Sequence, residues 1–162
     1  MNTGVLNSWF PAVALAGSVL VSTPVVAKTD VLDHPVSLTS EADLVQAVFT
    51  TLQHAITTSE RYRGDAPKLR RFAKDEVNDR RQQLRQLEKL APVQPASIPS
   101  LAITPKDART YVQAMLRNHV RLVELIEFGV GLPLSTQSRR FMTSLARDAN
   151  AEMSALHKLE PF

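Results

Sequence analysis

Apolar residues in the stretch Asp107–Phe128 recur at spacings of three and four, and this periodicity limits what the chain can fold into more than any other feature. Ala108, Val112, Met115, Leu122 and Ile126 fall on one helical stripe, which must be buried against other elements. His119 falls inside the stripe, where the repeat asks for an apolar side chain. A histidine aimed at the core near a helix midpoint either satisfies a buried hydrogen bond or supports a site.

Three further stretches carry the same period. Ser40-Glu-Ala-Asp43 reads as a helix start: Ser40 accepts a backbone N–H, and Glu41 and Asp43 suit the positive end of the dipole. Leu44, Val45, Val48, Phe49, Leu52 and Ile56 form the apolar face of that helix, and Gly64 predicts a left-handed cap at its end. The second helix opens at Asp65, with Pro67 in its first turn, and carries Leu69, Phe72, Ala73, Val77, Leu84, Leu87, Leu90 and Ala91. Residues 92–100, with three prolines, cannot be helical throughout and are long enough to cross a small bundle. Thr104-Pro-Lys-Asp107 predicts the start of the third helix, and Gly129, Gly131 and Pro133 stop it. Ser135 or Thr136 opens the fourth, whose stripe is Phe141, Met142, Leu145, Ala149, Met153, Leu156 and Leu159. No stretch alternates apolar and polar residues for long enough to argue for a sheet. Four helices of about 20 residues each, burying one another's stripes, predict an all-α, antiparallel four-helix bundle over residues 39–160.

The amino terminus has a different character. Residues 1–27 contain no charged side chain, and the apolar run from Trp9 ends in Val25-Val-Ala27 ahead of Lys28. Small residues one and three positions before a break fit secretory cleavage after Ala27. The expectation is a signal peptide over 1–27, an extended leader over 28–38, and export to the periplasm or outer membrane. His34-Pro35 turns that leader away from helix. The start lacks the usual Lys or Arg, so the alternative is an uncleaved membrane anchor. Pro11, Gly17 and Pro24 leave less than the roughly 20 uninterrupted apolar residues of a spanning helix.

The absence of cysteine excludes disulfides and thiolate chemistry. The net charge of +3 favours anionic surfaces but, without clustering on one face, is no nucleic-acid signature. Basic residues are dense in the second helix: Lys68, Arg70, Arg71, Lys74, Arg80, Arg81, Arg85 and Lys89. Asp75, Glu76, Asp79 and Glu88 are interleaved with them, which reads as a solvated face with i,i+4 pairs; the alternative is a face that binds anionic envelope polymers or lipids.

The middle of the bundle is the place to look for a site. Glu76, Asp79, Arg80 and Gln83 stand where a plain stripe would carry aliphatic residues. Midpoint residues of the four helices are His54, Asp79 with Arg80, His119, and Asp148 with Glu152. Bundles build metal sites from inward Glu and His at one height. His119 with Glu152, joined by Asp79 or His54, would suit iron, zinc or copper. Arg80 argues against it by repelling a cation. The favoured expectation is a metal-free buried polar layer of Asp79, Arg80, His119 and Glu152, with Arg80 paired to Glu152 or Glu76. His54 is expected at a rim, and His34 and His157 exposed. Arg80→Leu is then expected to leave a folded protein, and Glu152→Leu to strand Arg80 and destabilise more. No enzyme motif is present: there is no Gly-rich phosphate loop, no His-Glu-x-x-His and no Glu-x-x-His.

Phe72-Ala-Lys-Asp-Glu-Val-Asn-Asp-Arg80 with Leu87-Glu-Lys-Leu-Ala91 resembles the second helix of the exported, ferritin-like family called domain of unknown function 4142. Ala108-Arg-Thr-Tyr-Val-Gln-Ala-Met-Leu-Arg-Asn-His119, followed by Val123 and Glu127, is similar to that family's Tyr-Val-x-x-Met-Val-x-x-His helix. Phe141 to Met153 resembles its last helix and Asp43-Leu-Val45 its first, so the likeness spans about Ser40 to Leu159. It implies a ferritin-like bundle and export to the envelope, and no activity. The chain departs from the pattern at Arg80 and Glu152, where the family tends to carry His, and at Ala55, where it tends to carry Glu. Those departures imply a metal site lost or remade as a salt-bridged core.

Overall fold

A computed structural model describes residues 38–95 and 104–159. Among them are four α-helices and no strand: α1 Glu41–Arg61, α2 Pro67–Leu87, α3 Ala108–Gly129 and α4 Thr136–Leu159. The expected signal peptide over 1–27, all but the last residue of the expected leader over 28–38, His34 and the linker from residue 96 lie outside the described residues. No described helix is long and apolar enough to cross a membrane.

The helix starts follow their local chemistry, with two shifts from the sequence reading. The Ser40 side chain accepts from the Asp43 N–H at 3.2 Å, and Ser135 Oγ accepts from the Ser138 N–H at 3.1 Å. At α3 the cap is Asp107, whose Oδ1 accepts from Thr110 N–H at 2.8 Å, so Thr104 and Pro105 precede the helix instead of opening it. An acid that bonds the third N–H after it is the stronger cap, and it sets the boundary. At α2 the helix opens at Pro67 and not at Asp65: no side chain caps the start, and Pro67 occupies the first turn, where its missing N–H costs nothing.

The left-handed cap expected at Gly64 is absent; no described glycine has positive φ. Helix α1 ends at Arg61, and Tyr62 turns the chain with extended backbone. Gly64 serves the fold by clearance. A Cβ there would lie 2.3 Å from the Tyr62 hydroxyl oxygen, so only glycine leaves room for that ring. The ring in turn stacks on Tyr111, with centroids 4.4 Å apart.

Helix α1 packs on α2 and α3, and α3 packs on α4. Ser59, near the end of α1, meets the Tyr111 hydroxyl, near the start of α3, at 3.0 Å. Gly129, at the end of α3, lies against Leu44, at the start of α1. Glu41, also at the start of α1, accepts from Ser135 N–H at 2.7 Å and from the hydroxyls of Ser135 and Ser138 at the start of α4.

The buried apolar residues form two clusters. One holds Leu44, Val48 and Leu52 of α1, Leu87 of α2, Leu122 and Ile126 of α3, and Met142 and Leu145 of α4. The other holds Ala55, Leu69 and Ala73, Val112 and Met115, and Leu156. On α2, α3 and α4 the residues between the two clusters include Glu76 and Arg80, His119, and Glu152. The aliphatic core is interrupted at one level by charged side chains.

Candidate functional site

Three helices deliver the interrupting layer. Glu76 and Arg80 lie one turn apart on α2 and therefore share a face. His119 projects from α3 and Glu152 from α4. Arg80 and His119 are fully buried, Glu76 is 2% exposed, and Glu152 is 21% exposed at its side chain. Of the expected members, Arg80, His119 and Glu152 come together. Asp79 does not: it is exposed, and Glu76 takes its place. With 3.6 residues per turn, the inward partner of Arg80 is four positions back, while its chain neighbour is rotated by about 100°. Asp148 is also off the layer, pairing on the outside with Arg147 at 3.3 Å. His54 is 8% exposed, inside α1's packed face and not at a rim, whereas His157 is exposed as expected.

Arg80 organises the layer. Its Nε donates to Glu76 Oε1 at 2.7 Å and its Nη1 to Gln83 Oε1 at 2.7 Å. Its Nη2 bonds Glu152 Oε2 and lies 2.9 Å from His119 Nε2. A planar guanidinium with donors on three nitrogens can hold partners from two helices at once. Burial works against its charge, but the two carboxylates beside it overcome that and raise its pKa. The Arg80–Glu152 pair also bridges α2 to α4.

The two carboxylates are driven apart. Burial pushes Glu76 up, and Arg80's charge offsets only part of that. Burial would push Glu152 up as well, but the His119 hydrogen bond and Arg80's charge outweigh it and hold Glu152 below the ordinary carboxylate value. Glu152 is thus the firmly ionised member of the layer.

His119 Nδ1 lies 2.7 Å from the Met115 carbonyl oxygen, which can only accept, so Nδ1 carries a proton. Its Nε2 lies 2.8 Å from Glu152 Oε2 and 2.9 Å from Arg80 Nη2. A neutral ring accepts from Arg80 there, and a protonated ring donates to Glu152. One nitrogen cannot do both, so a single proton decides which of the two His119 holds.

Glu76, His119 and Glu152 each offer one ligand atom, and these atoms lie within 4.8 Å of one another. One nitrogen and two oxygens suit zinc, iron or copper in kind. The Arg80 guanidinium, however, is hydrogen-bonded to two of the three donors and carries its own positive charge among them. The donor set fits a divalent ion only if Arg80 withdraws. A groove of about 340 Å³ between α2 and α4, walled by Asp79, Gln83, Phe141 and Asp148, reaches Glu152 from outside.

Sequence reasoning did not foresee two buried bonds. Asn118 Nδ2 donates to the Thr51 carbonyl at 3.0 Å, and Tyr111 bonds Ser59. The signal for the first was present: Asn118 directly precedes His119 on a helix whose buried arc is wider than one stripe.

No family model, no curated protein and no solved structure matches the chain.

Proposed function

We propose that the chain is an exported, non-enzymatic bundle protein of binding or structural role, whose mid-bundle layer is held by Arg80 in place of a metal ion. The observation that carries this reading is the Arg80 guanidinium, fully buried and bonded to Glu76, Gln83 and Glu152. A buried arginine satisfied on three nitrogens keeps the carboxylates from standing unpaired.

The reading includes a ferritin-like arrangement in which neighbouring helices run antiparallel. The end-to-start meetings of Ser59 with Tyr111 and of Gly129 with Leu44 support it for α1 and α3, together with the long connection between α2 and α3. So do the helix motifs quoted above, with their departures at Arg80, Glu152 and Ala55. Export rests on the uncharged apolar run ending at Ala27.

A second reading, metal binding through His119 and Glu152 with Glu76, is favoured by the 4.8 Å cluster. Elemental analysis after incubation with iron, zinc and copper and then desalting separates the two. The proposal expects no retained metal. Near-stoichiometric metal that disappears in His119→Ala overturns it and makes the layer a metal centre.

A further inference from the structure

The turn between α3 and α4 is apolar beyond what the core needs. Phe128-Gly-Val-Gly-Leu-Pro-Leu134 contains no polar side chain, whereas surface connections ordinarily carry polar residues. Leu132 and Leu134 pack against the first apolar cluster. Phe128 and Val130 are instead 68% and 60% exposed, the highest values among the described large apolar residues. Nothing lies within 4 Å of a Cβ built on Gly131, so the turn stands in open space there. The connection at the opposite end, between α1 and α2, has Arg63 and Asp65 at its exposed positions.

The amino-terminal segment leaves the bundle at this same end. Leu38, the first described residue, belongs to the apolar cluster that holds Leu44 and receives Leu132 and Leu134. Glu41 bonds Ser135 and Ser138, and Leu44 lies against Gly129. From Ala27, where the uncharged apolar run ends, to Leu38 is a reach of at most about 40 Å of chain. The opposite end of the bundle lies a further 21 residues along α1, roughly 32 Å. Arg139 and Arg140, near the start of α4, are offset by Glu41, Asp43 and Glu127, so no strong positive field surrounds the turn. What covers Phe128 and Val130 is recognised by hydrocarbon and not by charge.

We infer that this end of the bundle docks on a lipid bilayer, with Phe128 and Val130 inserted at the boundary between headgroups and acyl chains. Insertion there reaches about 5–10 Å, within the span of a turn that carries its apolar side chains outward. A second copy of the chain fits less well. Two side chains of one turn offer far less than the roughly 800 Å² that each partner of a stable complex buries, whereas a bilayer demands no matching surface. The inference rests on the membrane-directed reading of residues 1–27, as signal or as anchor, and adds a contact made by the folded domain itself.

The chain has no cysteine, so Gly131→Cys gives a single attachment point for an environment-sensitive dye at an open position, and Asp65→Cys places the same dye at the opposite end. The full-length labelled chains are mixed with phosphatidylcholine vesicles, and flotation is measured beside dye emission. A blue shift, with quenching by a quencher carried in the bilayer, is expected at position 131 and not at position 65. Adding Phe128→Ser with Val130→Ser is expected to move the docked-to-free ratio of the dye about tenfold or more toward free, and raising the salt concentration to leave it unchanged. Flotation without a shift at position 131 shows that the amino-terminal segment alone holds the membrane, which overturns the inference and leaves the reading of that segment standing; no flotation overturns both. An equal shift at both positions, or one that survives the two serine substitutions, shows adsorption of the dye and overturns the inference. So does a shift that needs phosphatidylglycerol and disappears in salt, which shows docking by charge. A shift that grows with protein concentration in the absence of vesicles shows a second copy as the occupant and overturns it as well.

Discussion

Glu76 and Arg80 face each other across one turn of α2, Oε1 to Nε at 2.7 Å, with side chains 2% and 0% exposed. This pair alters what removal of either charge should do. Arg80 keeps Glu76 and Gln83 if Glu152 is lost, but Glu76 keeps only the more distant His119 Nε2, at 3.7 Å, if Arg80 is lost.

Arg80→Leu is therefore expected to be the more damaging substitution, the reverse of the order that Arg80 and Glu152 alone suggested. A broken buried pair costs about 3–5 kcal/mol, reduced here to the extent that Glu76 takes up a proton. Glu152→Leu, at a side chain 21% exposed, is expected to cost about 1–2 kcal/mol. Urea unfolding of both variants checks the order. A less stable Glu152→Leu would show that Glu152 is Arg80's main counter-charge.

The two carboxylates predict opposite pH signatures. Glu152 has a lowered pKa in the fold, so its contribution is present above the ordinary value of 4.5 and is lost as pH falls below it. The stability gap between wild type and Glu152→Gln is expected to close on acidification. Glu76 has a raised pKa, so its ionisation weakens the fold as pH rises from 4.5 through the raised value. Wild type should gain on Glu76→Gln as pH falls through that window. Glu41 and Asp43 also have lowered pKa values and weaken every variant in acid, so the comparison is between variants measured at each pH.

Gly129 predicts a close-packing effect. A Cβ there would lie 2.5 Å from Leu44 Cδ2, and Leu44 is fully buried and cannot swing away. Gly129→Ala gains helix propensity of about 1 kcal/mol but overpacks by about 1–3 kcal/mol, so net destabilisation is expected. In a Leu44→Ala background the clash is gone and the same substitution should stabilise. A thermal-melt double-mutant cycle reads the change of sign.

Tyr111→Phe removes the hydroxyl that meets Ser59 at 3.0 Å while leaving the ring stacked on Tyr62. A loss of about 1 kcal/mol is expected, measurable by thermal unfolding. A loss as large as that of Tyr111→Ala would show that the hydroxyl, not the ring, holds α1 to α3.

The helices were legible because their stripes are strong: Leu44, Val48 and Leu52 on α1 and Met142, Leu145 and Ala149 on α4 are all buried as the period requires. The layer was legible at Arg80, His119 and Glu152, which interrupt stripes at matching heights. Its fourth member was misassigned because midpoint counting fixes height but not rotation: Asp79 has the height and Glu76 the face. The turn after α1 was misread because glycine was taken as a conformational signal, whereas Tyr62's ring dictates it by volume. The Glu60–Arg81 pair was hidden because pairing on α2 depends on α1, which only the fold brings alongside.

The charged layer between the two apolar clusters also fixes how the helices slide. Leu and Val surfaces look much alike after a shift of one turn, about 5.4 Å along the axis, so an all-aliphatic seam tolerates several alignments. Arg80 meets its partners on other helices at one level only. If α4 moves one turn past α2 and α3, Arg80 keeps Glu76 and Gln83 on its own helix, but Glu152 leaves both the guanidinium and His119, and a partly buried carboxylate loses its partners. The layer therefore works as an index mark: it selects one alignment of α2, α3 and α4 from those that the oily faces alone would accept.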